Sequence, residues 1–255
     1  MNALSLGLLY LYCFIVGSCI GSFCNVLVFR IPRKVSVVKG RSFCPYCTHV
    51  LHAKDLVPLF SWVFLKGRCR YCDERISWRY PLVELLGGML AVVSLLVYGW
   101  SVLTVISFSA GCILLTVALI DADTQEIPDV LVIALSVIAV CSAVFTRDIP
   151  LLHRIVGIFA VSVPMLLINL IRKTSFGGGD IKLCASGGFL LGWQHMLTGG
   201  FLALLAGGAF GVFLLVSKKK ERRDHFAFGP FLAAGMYVAL LFGDMLIGWY
   251  LALFI

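Results

Sequence analysis

Residues 183–216 read LCASGGFLLGWQHMLTGGFLALLAGGAFGVFLLV, 34 positions with no formally charged side chain. A membrane span needs ~20 mostly apolar residues, so this run is too long for one crossing and short for two. Gln194 and His195 stand near its middle and mark a turn. Read as two spans, 183–197 and 198–216, the run completes a set of eight. The other six lie at roughly 4–29, 81–99, 101–120, 130–146, 151–171 and 229–254. An even number places both termini on the same side of the membrane.

The charges agree with that parity. Of the 21 Lys and Arg, 19 fall within 30–80, 172–182 and 217–224, and the opposite side carries only Arg147 and Arg154. Cytoplasmic loops are enriched in Lys and Arg, so the loops 30–80, 121–129, 172–182 and 217–228 are expected in the cytoplasm and both termini outside. Composition points the same way. The 255 residues are 60% hydrophobic and 13% charged, with a mean hydropathy of +0.99, against roughly 25% charged in a soluble domain. The first apolar stretch has no basic segment before it and is too long for a signal h-region, so it is expected to remain as a span. The net charge of +8 does not indicate nucleic acid, because no basic stripe is interleaved with aromatics on a soluble domain. The fold class expected is an all-α polytopic membrane protein of about eight helices.

One soluble segment, about 30–80, is long enough to fold but too short for a substantial core, and something must staple it. It contains Cys44-Pro-Tyr-Cys47 and Cys69-Arg-Tyr-Cys72, two C-x-x-C knuckles 21 residues apart. Four thiolates so spaced make a closed structural zinc site with no open position for a catalytic water. The other readings are two disulfides or four idle thiols. A reducing compartment disfavours the disulfides. Cys13, Cys19, Cys24, Cys112, Cys141 and Cys184 are scattered in apolar spans and read as small packing residues.

Four acids crowd into Asp121-Ala-Asp-Thr-Gln-Glu-Ile-Pro-Asp129, a loop without Lys or Arg. Either a cation from another loop answers them or some share protons. A second acid, Asp180, follows three glycines in Phe176-Gly-Gly-Gly-Asp-Ile-Lys182 and begins a span, where ionisable residues default to function. Two carboxylates held ~3 Å apart cannot both ionise cheaply, so one can deprotonate water while the other polarises a carbonyl. Asp121 and Asp180, each at the cytoplasmic end of a span, are the candidate pair. The plainer readings are solvated charges for Asp123 and Glu126, and helix caps for Asp129 and Asp180. Glu84, in the second span, pairs with Arg79 or Arg75 or has a function of its own. Asp244 has no evident partner. A proton-relaying transporter would carry its acids near the bilayer middle at broken helices, whereas these acids stand at span ends.

The chain resembles the bifunctional type IV prepilin peptidases, the prepilin leader peptidase/N-methyltransferases, which are Gly-x-Gly-Asp aspartyl proteases. Four features carry the resemblance in order: Gly21-Ser22-Phe23-Cys24-Asn25-Val26 leading to Arg30-Ile31-Pro32; the cysteine tetrad; Asp121 with Asp129 eight residues on; and Gly177-Gly178-Gly179-Asp180 followed by Lys182. The resemblance implies a catalytic pair Asp121 and Asp180, supported by Asp129, Lys182, Gly177 and Gly179. It implies an enzyme of the bacterial inner membrane that removes the basic leader of prepilins and pseudopilins at the cytoplasmic face. It further implies methylation of the new N-terminus with S-adenosylmethionine, and partners limited to these substrates and lipid. Residues 1–98 would form an N-terminal region whose zinc segment supports methyl transfer, and 99–255 the peptidase domain. No glycine-rich loop follows a strand, so a Rossmann-type donor site is not expected. Glu84 is the candidate for methyl transfer. Gly87-Gly88 reads as close helix packing or, alternatively, an approach to a ligand.

Overall fold

A computed structural model describes residues 3–146, 148–171, 176–217 and 227–253. Arg147 and the stretches 172–175 and 218–226, which carry part of the charge count, lie outside the described residues. The chain is helical: α1 (Ala3–Arg30), α2 (Phe60–Phe64), α3 (Arg79–Tyr98), α4 (Val102–Thr124), α5 (Asp129–Phe145), α6 (Leu151–Ile171), α7 (Gly178–Val216) and α8 (Gly229–Ala252). All but α2 and α5 are long and apolar enough to cross a membrane, and α5 is a shorter apolar helix. The described residues contain no strand, only two isolated bridges, Phe43 with Val50 and Arg68 with Arg75. Contacts divide the chain into two compact units, Met1–Thr104 and Val105–Ile255.

In the first unit α1 packs on α3 through glycines. A Cβ at Gly17 would stand 2.5 Å from the Gly87 carbonyl oxygen, and one at Gly21 2.7 Å from that of Val83. Gly87 and Gly88 therefore serve close helix packing, of the kind small residues permit in membranes. Arg30 ends α1, where a cation suits the negative helix end. Its buried guanidinium donates to the carbonyls of Ser36 and Lys39 at 3.0 Å, and of Arg41 at 3.2 Å. That single side chain gathers the loop leading into the cysteine segment.

In the second unit α7 is interrupted at Gly192, with φ 75° and ψ 166°, a conformation that glycine adopts without a Cβ clash. Gly187 and Gly199 lie twelve positions apart yet pack on the neighbouring residues Met236 and Gly235 of α8. A continuous helix would separate them by ~18 Å. The same holds against α6, where Gly188 meets Gly157 and Gly200 meets Val161. The chain therefore doubles back at Gly192. The turn falls two residues before the expected Gln194 and His195, because the positive φ, not local polarity, decides where the helix can fold back.

A reversal exposes the carbonyls that close the first half, since a helical residue bonds the N–H four positions ahead. Arg154 supplies the missing donors. It is 1% exposed, and its Nη1 donates to the carbonyls of Leu190 at 3.1 Å and Phe189 at 3.3 Å. Its Nη2 donates to Ser142 Oγ at 3.1 Å. The charge count assigned Arg154 to the outer side at the start of the span 151–171; it lies there in the first turn of α6, buried. Beyond the turn, His195 Nε2 lies 3.0 Å from Asp244 Oδ1, the partner that the sequence did not reveal for Asp244.

Candidate active site

Burial separates the four acids of the 121–129 loop. Asp121, in the last turn of α4, is 5% exposed, whereas Asp123, Glu126 and Asp129 face outward. A carboxylate taken out of water needs a donor. Asp121 Oδ2 accepts the Gly229 N–H at 2.8 Å, the free donor at the positive N-terminal end of α8. The approach requires glycine, because a Cβ at 229 would stand 2.6 Å from Asp121 Oδ2. Sequence reasoning missed Gly229. The available signal was Phe228-Gly-Pro230, a glycine whose N–H is free because the helix starts there.

Asp180 comes from the opposite direction, in the first turn of α7, and is 9% exposed. Its Oδ2 accepts the Gly177 N–H at 3.2 Å, reaching back from the third helical position as in half of a capping box rather than standing at the N-cap. Its Oδ1 is buried with no hydrogen-bond partner among the described residues. The two carboxylates lie within electrostatic reach of each other. What joins their loops is small: Gly179 sits against Ile127, at a spacing where a Cβ would be 2.8 Å from the Ile127 Cβ. Phe176 and Phe228 meet with ring centroids 5.9 Å apart.

Lys182 is the cation that the acidic loop lacks. Its Nζ lies 2.7 Å from Asp129 Oδ1, with both side chains more than half exposed. An exposed pair of this kind stabilises by about 0–1 kcal/mol, and it links the start of α5 to the first turns of α7. Asp129 does not cap α5: Pro128 holds the N-cap position and Asp129 is the first helical residue. Glu84 belongs to the first unit, and its Oε2 accepts the Leu59 N–H at 2.7 Å.

The cysteine segment forms two turns of one design. In the first, Cys44 N–H bonds the His49 carbonyl, Thr48 N–H bonds the Cys44 carbonyl, and Thr48 has φ 57°. In the second, Cys69 N–H bonds the Glu74 carbonyl, Asp73 N–H bonds the Cys69 carbonyl, and Asp73 has φ 59°. The Sγ atoms of Cys44, Cys47, Cys69 and Cys72 all lie within 4.8 Å of one another, and all four cysteines are free. Four sulfurs at ~2.3 Å from a tetrahedral ion stand ~3.8 Å apart, and Cys44 and Cys72 are 3.9 Å apart. The donor set fits zinc. The Glu74 backbone N–H pulls the Cys72 thiol down, but desolvation and the three neighbouring thiols push it up to about 12. A dication among the sulfurs removes that penalty.

Comparison with known proteins adds two family models. Residues 15–98 match the bacterial peptidase A24 N-terminal domain, and residues 108–212 match the type IV leader peptidase family. The chain is 33% identical to a prepilin leader peptidase/N-methyltransferase of Aeromonas salmonicida, over 96% of each chain. It is 32% identical to one of Bacillus subtilis, over 93% of this chain and 96% of that one. A Burkholderia pseudomallei relative of the same name is 31% identical over 94% and 88%. No solved structure matches.

Proposed function

Because this chain belongs to the type IV leader peptidase family, we propose that it removes the leader peptide of prepilins with Asp121 and Asp180 and then N-methylates the new terminus. It is a multi-pass membrane enzyme with both peptidase and methyltransferase activity. The observation that carries the assignment of the pair is their burial. Of the acids in the two loops, only Asp121 and Asp180 are withdrawn from solvent, and the charge of Asp121 is felt at Asp180 across 59 positions of sequence.

In the mechanism, one carboxylate takes a proton from water and the other, protonated, donates to the scissile carbonyl oxygen. The Gly229 N–H holds Asp121 Oδ2 and leaves its second oxygen for the reaction, while Asp180 offers the unpartnered Oδ1. Lys182, Asp129, Gly177 and Gly179 hold the two loops in register. Replacing Gly229 by Ala is therefore expected to slow cleavage about 100-fold, the cost of a misplacement near 1 Å. The rate of leader removal on a gel checks this, with unchanged detergent-solubilised yield as the folding control.

The reversal at Gly192 supports counting α7 as two crossings and α5 as one, giving eight spans in all. With the Lys and Arg distribution, both termini then lie outside and the pair opens to the cytoplasm of a bacterial inner membrane. Residues 1–98 form the region that supports methyl transfer, and 99–255 form the peptidase domain. Zinc held by Cys44, Cys47, Cys69 and Cys72 has a structural role there. S-adenosylmethionine supplies an electrophilic methyl group for the freed N-terminal amine.

The test is incubation of the purified chain with a prepilin, with and without S-adenosylmethionine, followed by intact mass. Loss of the leader plus a product one methyl heavier with the donor is expected. A leader that stays attached overturns the peptidase reading. Cleavage without the added methyl leaves a peptidase whose zinc segment only recruits substrate.

A further inference from the structure

A cavity of about 380 Å³ lies wholly within the N-terminal unit, between the end of α1, the start of α3 and the cysteine segment. That volume is at the small end of sites that enclose organic ligands. Its walls are aromatic: Phe29 and Phe43, with rings edge-on at 6.3 Å, together with Trp62 and Tyr80. Trp62 is fixed in place, since its indole N–H donates to the Ile76 carbonyl at 3.2 Å. Its ring lies against Gly67, where a Cβ would come within 2.9 Å of it.

The polar groups bear on the ligand's charge: Glu74 and Arg75 line the cavity as an exposed pair of opposite formal charge, and the buried groups decide the rest. Arg30 is committed to loop carbonyls, and Arg70 is committed to Asp55 through a 2.6 Å bond. Asp55 also accepts the Tyr71 hydroxyl and the His52 N–H. Partial desolvation raises the Asp55 carboxyl, but these three donors outweigh it and hold it below the usual carboxylate range. Glu84 differs. The Leu59 N–H is the one donor on its carboxylate among the described residues, and a carboxylate offers about four acceptor positions. Leu59 itself has φ 63°, an unfavourable backbone for a residue with a Cβ, of the kind that persists where a site requires it. The cavity thus combines aromatic walls with an open negative group, and its buried arginine is already engaged. It favours a flat base carrying a weakly hydrated cation and disfavours a phosphate.

We propose that this cavity binds the methyl donor, with the aromatic walls enclosing the adenine and Glu84 facing the sulfonium. The proposal rests on the methyl-transfer reading above. In the transfer, the neutral amine of the new N-terminus forms the N–CH3 bond as the S–CH3 bond breaks. The electron pair stays on sulfur as a thioether, and the amine gives up one proton to water. A charged aromatic-lined site suits the sulfonium in the same way that aromatic faces hold other onium groups.

Two variants of the full-length, zinc-loaded chain test it. Glu84→Gln removes the charge but keeps an acceptor for the Leu59 N–H. Ser61→Trp, on α2, fills the cavity. Binding of radiolabelled S-adenosylmethionine is measured by equilibrium dialysis without prepilin, alongside zinc content and leader cleavage. Glu84→Gln is expected to weaken binding about tenfold or more, the loss of a charge-assisted contact. Ser61→Trp should abolish binding, while both variants keep zinc and cleave normally. If both variants bind the donor as the wild type does, the site lies elsewhere and the methyl-transfer reading stands. If Glu84→Gln leaves binding intact but slows cleavage, the cavity instead recognises the basic leader and the proposal is overturned. If the wild type neither binds the donor nor yields a methylated product, the methyl-transfer reading itself fails, and the proposal with it.

Discussion

Asp121→Asn and Asp180→Asn are each expected to lower the rate of leader removal by about 10³-fold or more, the scale of lost acid–base catalysis by a positioned group. Asparagine keeps the size and one acceptor oxygen of each side chain. In Asp121→Asn the amide oxygen can still accept the Gly229 N–H, and in Asp180→Asn it can still accept the Gly177 N–H. Neither variant should unfold, so the loss reports chemistry. Asp123→Asn and Glu126→Gln make the contrast. Both side chains are exposed, and both variants should cleave within a few-fold of the wild type, in line with the small effects of surface substitutions. The comparison is read as the prepilin size shift over time at equal enzyme concentration.

The second large effect concerns the tetrad. Cys69→Ser is expected to lose the bound zinc and, with it, methyl transfer. Structural zinc contributes ~10–16 kcal/mol of binding free energy to small domains, and the 30–80 segment has little else to hold it. Its helices are a three-residue turn at Ala53–Asp55 and the five-residue α2. The methyl-donor cavity is lined by Cys44 and Cys69 themselves, so its walls move when the metal leaves. Leader cleavage should be retained, because Asp121 and Asp180 and all the partners identified for them belong to the second unit. Elemental analysis of the purified variant and the mass of the processed pilin check the two halves. Zinc retained at one equivalent, or normal methylation without it, would contradict the structural role.

Much of this was legible in the sequence because the signals are coarse or covalent. A crossing of ~20 apolar residues survives any local irregularity, and the runs outside 183–216 became helices within about four residues of their expected ends, while 183–197 and 198–216 both fall in α7, which breaks at Gly192 instead. The knuckle spacing fixes which four sulfurs can meet. What escaped depends on contacts between distant positions. The turn in the 183–216 run was placed by polarity, at Gln194 and His195, while the backbone turns at Gly192. The two polar residues instead enter the returning helix, where His195 meets Asp244. Asp121 could be told from Asp123 and Glu126 only by family resemblance, since exposure is a property of the packed helices. Gly229 carried no charge to draw notice, and its importance lies in a side chain 108 positions earlier. Arg154 counted only as an outer-side charge and is the donor that closes a broken helix.

The most direct measurement compares Asp121→Asn, Asp180→Asn and the double variant in one prepilin cleavage assay. Residues that act as one unit are strongly non-additive. All three variants are expected to share the same residual rate, with the double no slower than either single. Losses that multiply in the double variant, or either single cleaving at the wild-type rate, would contradict the pair.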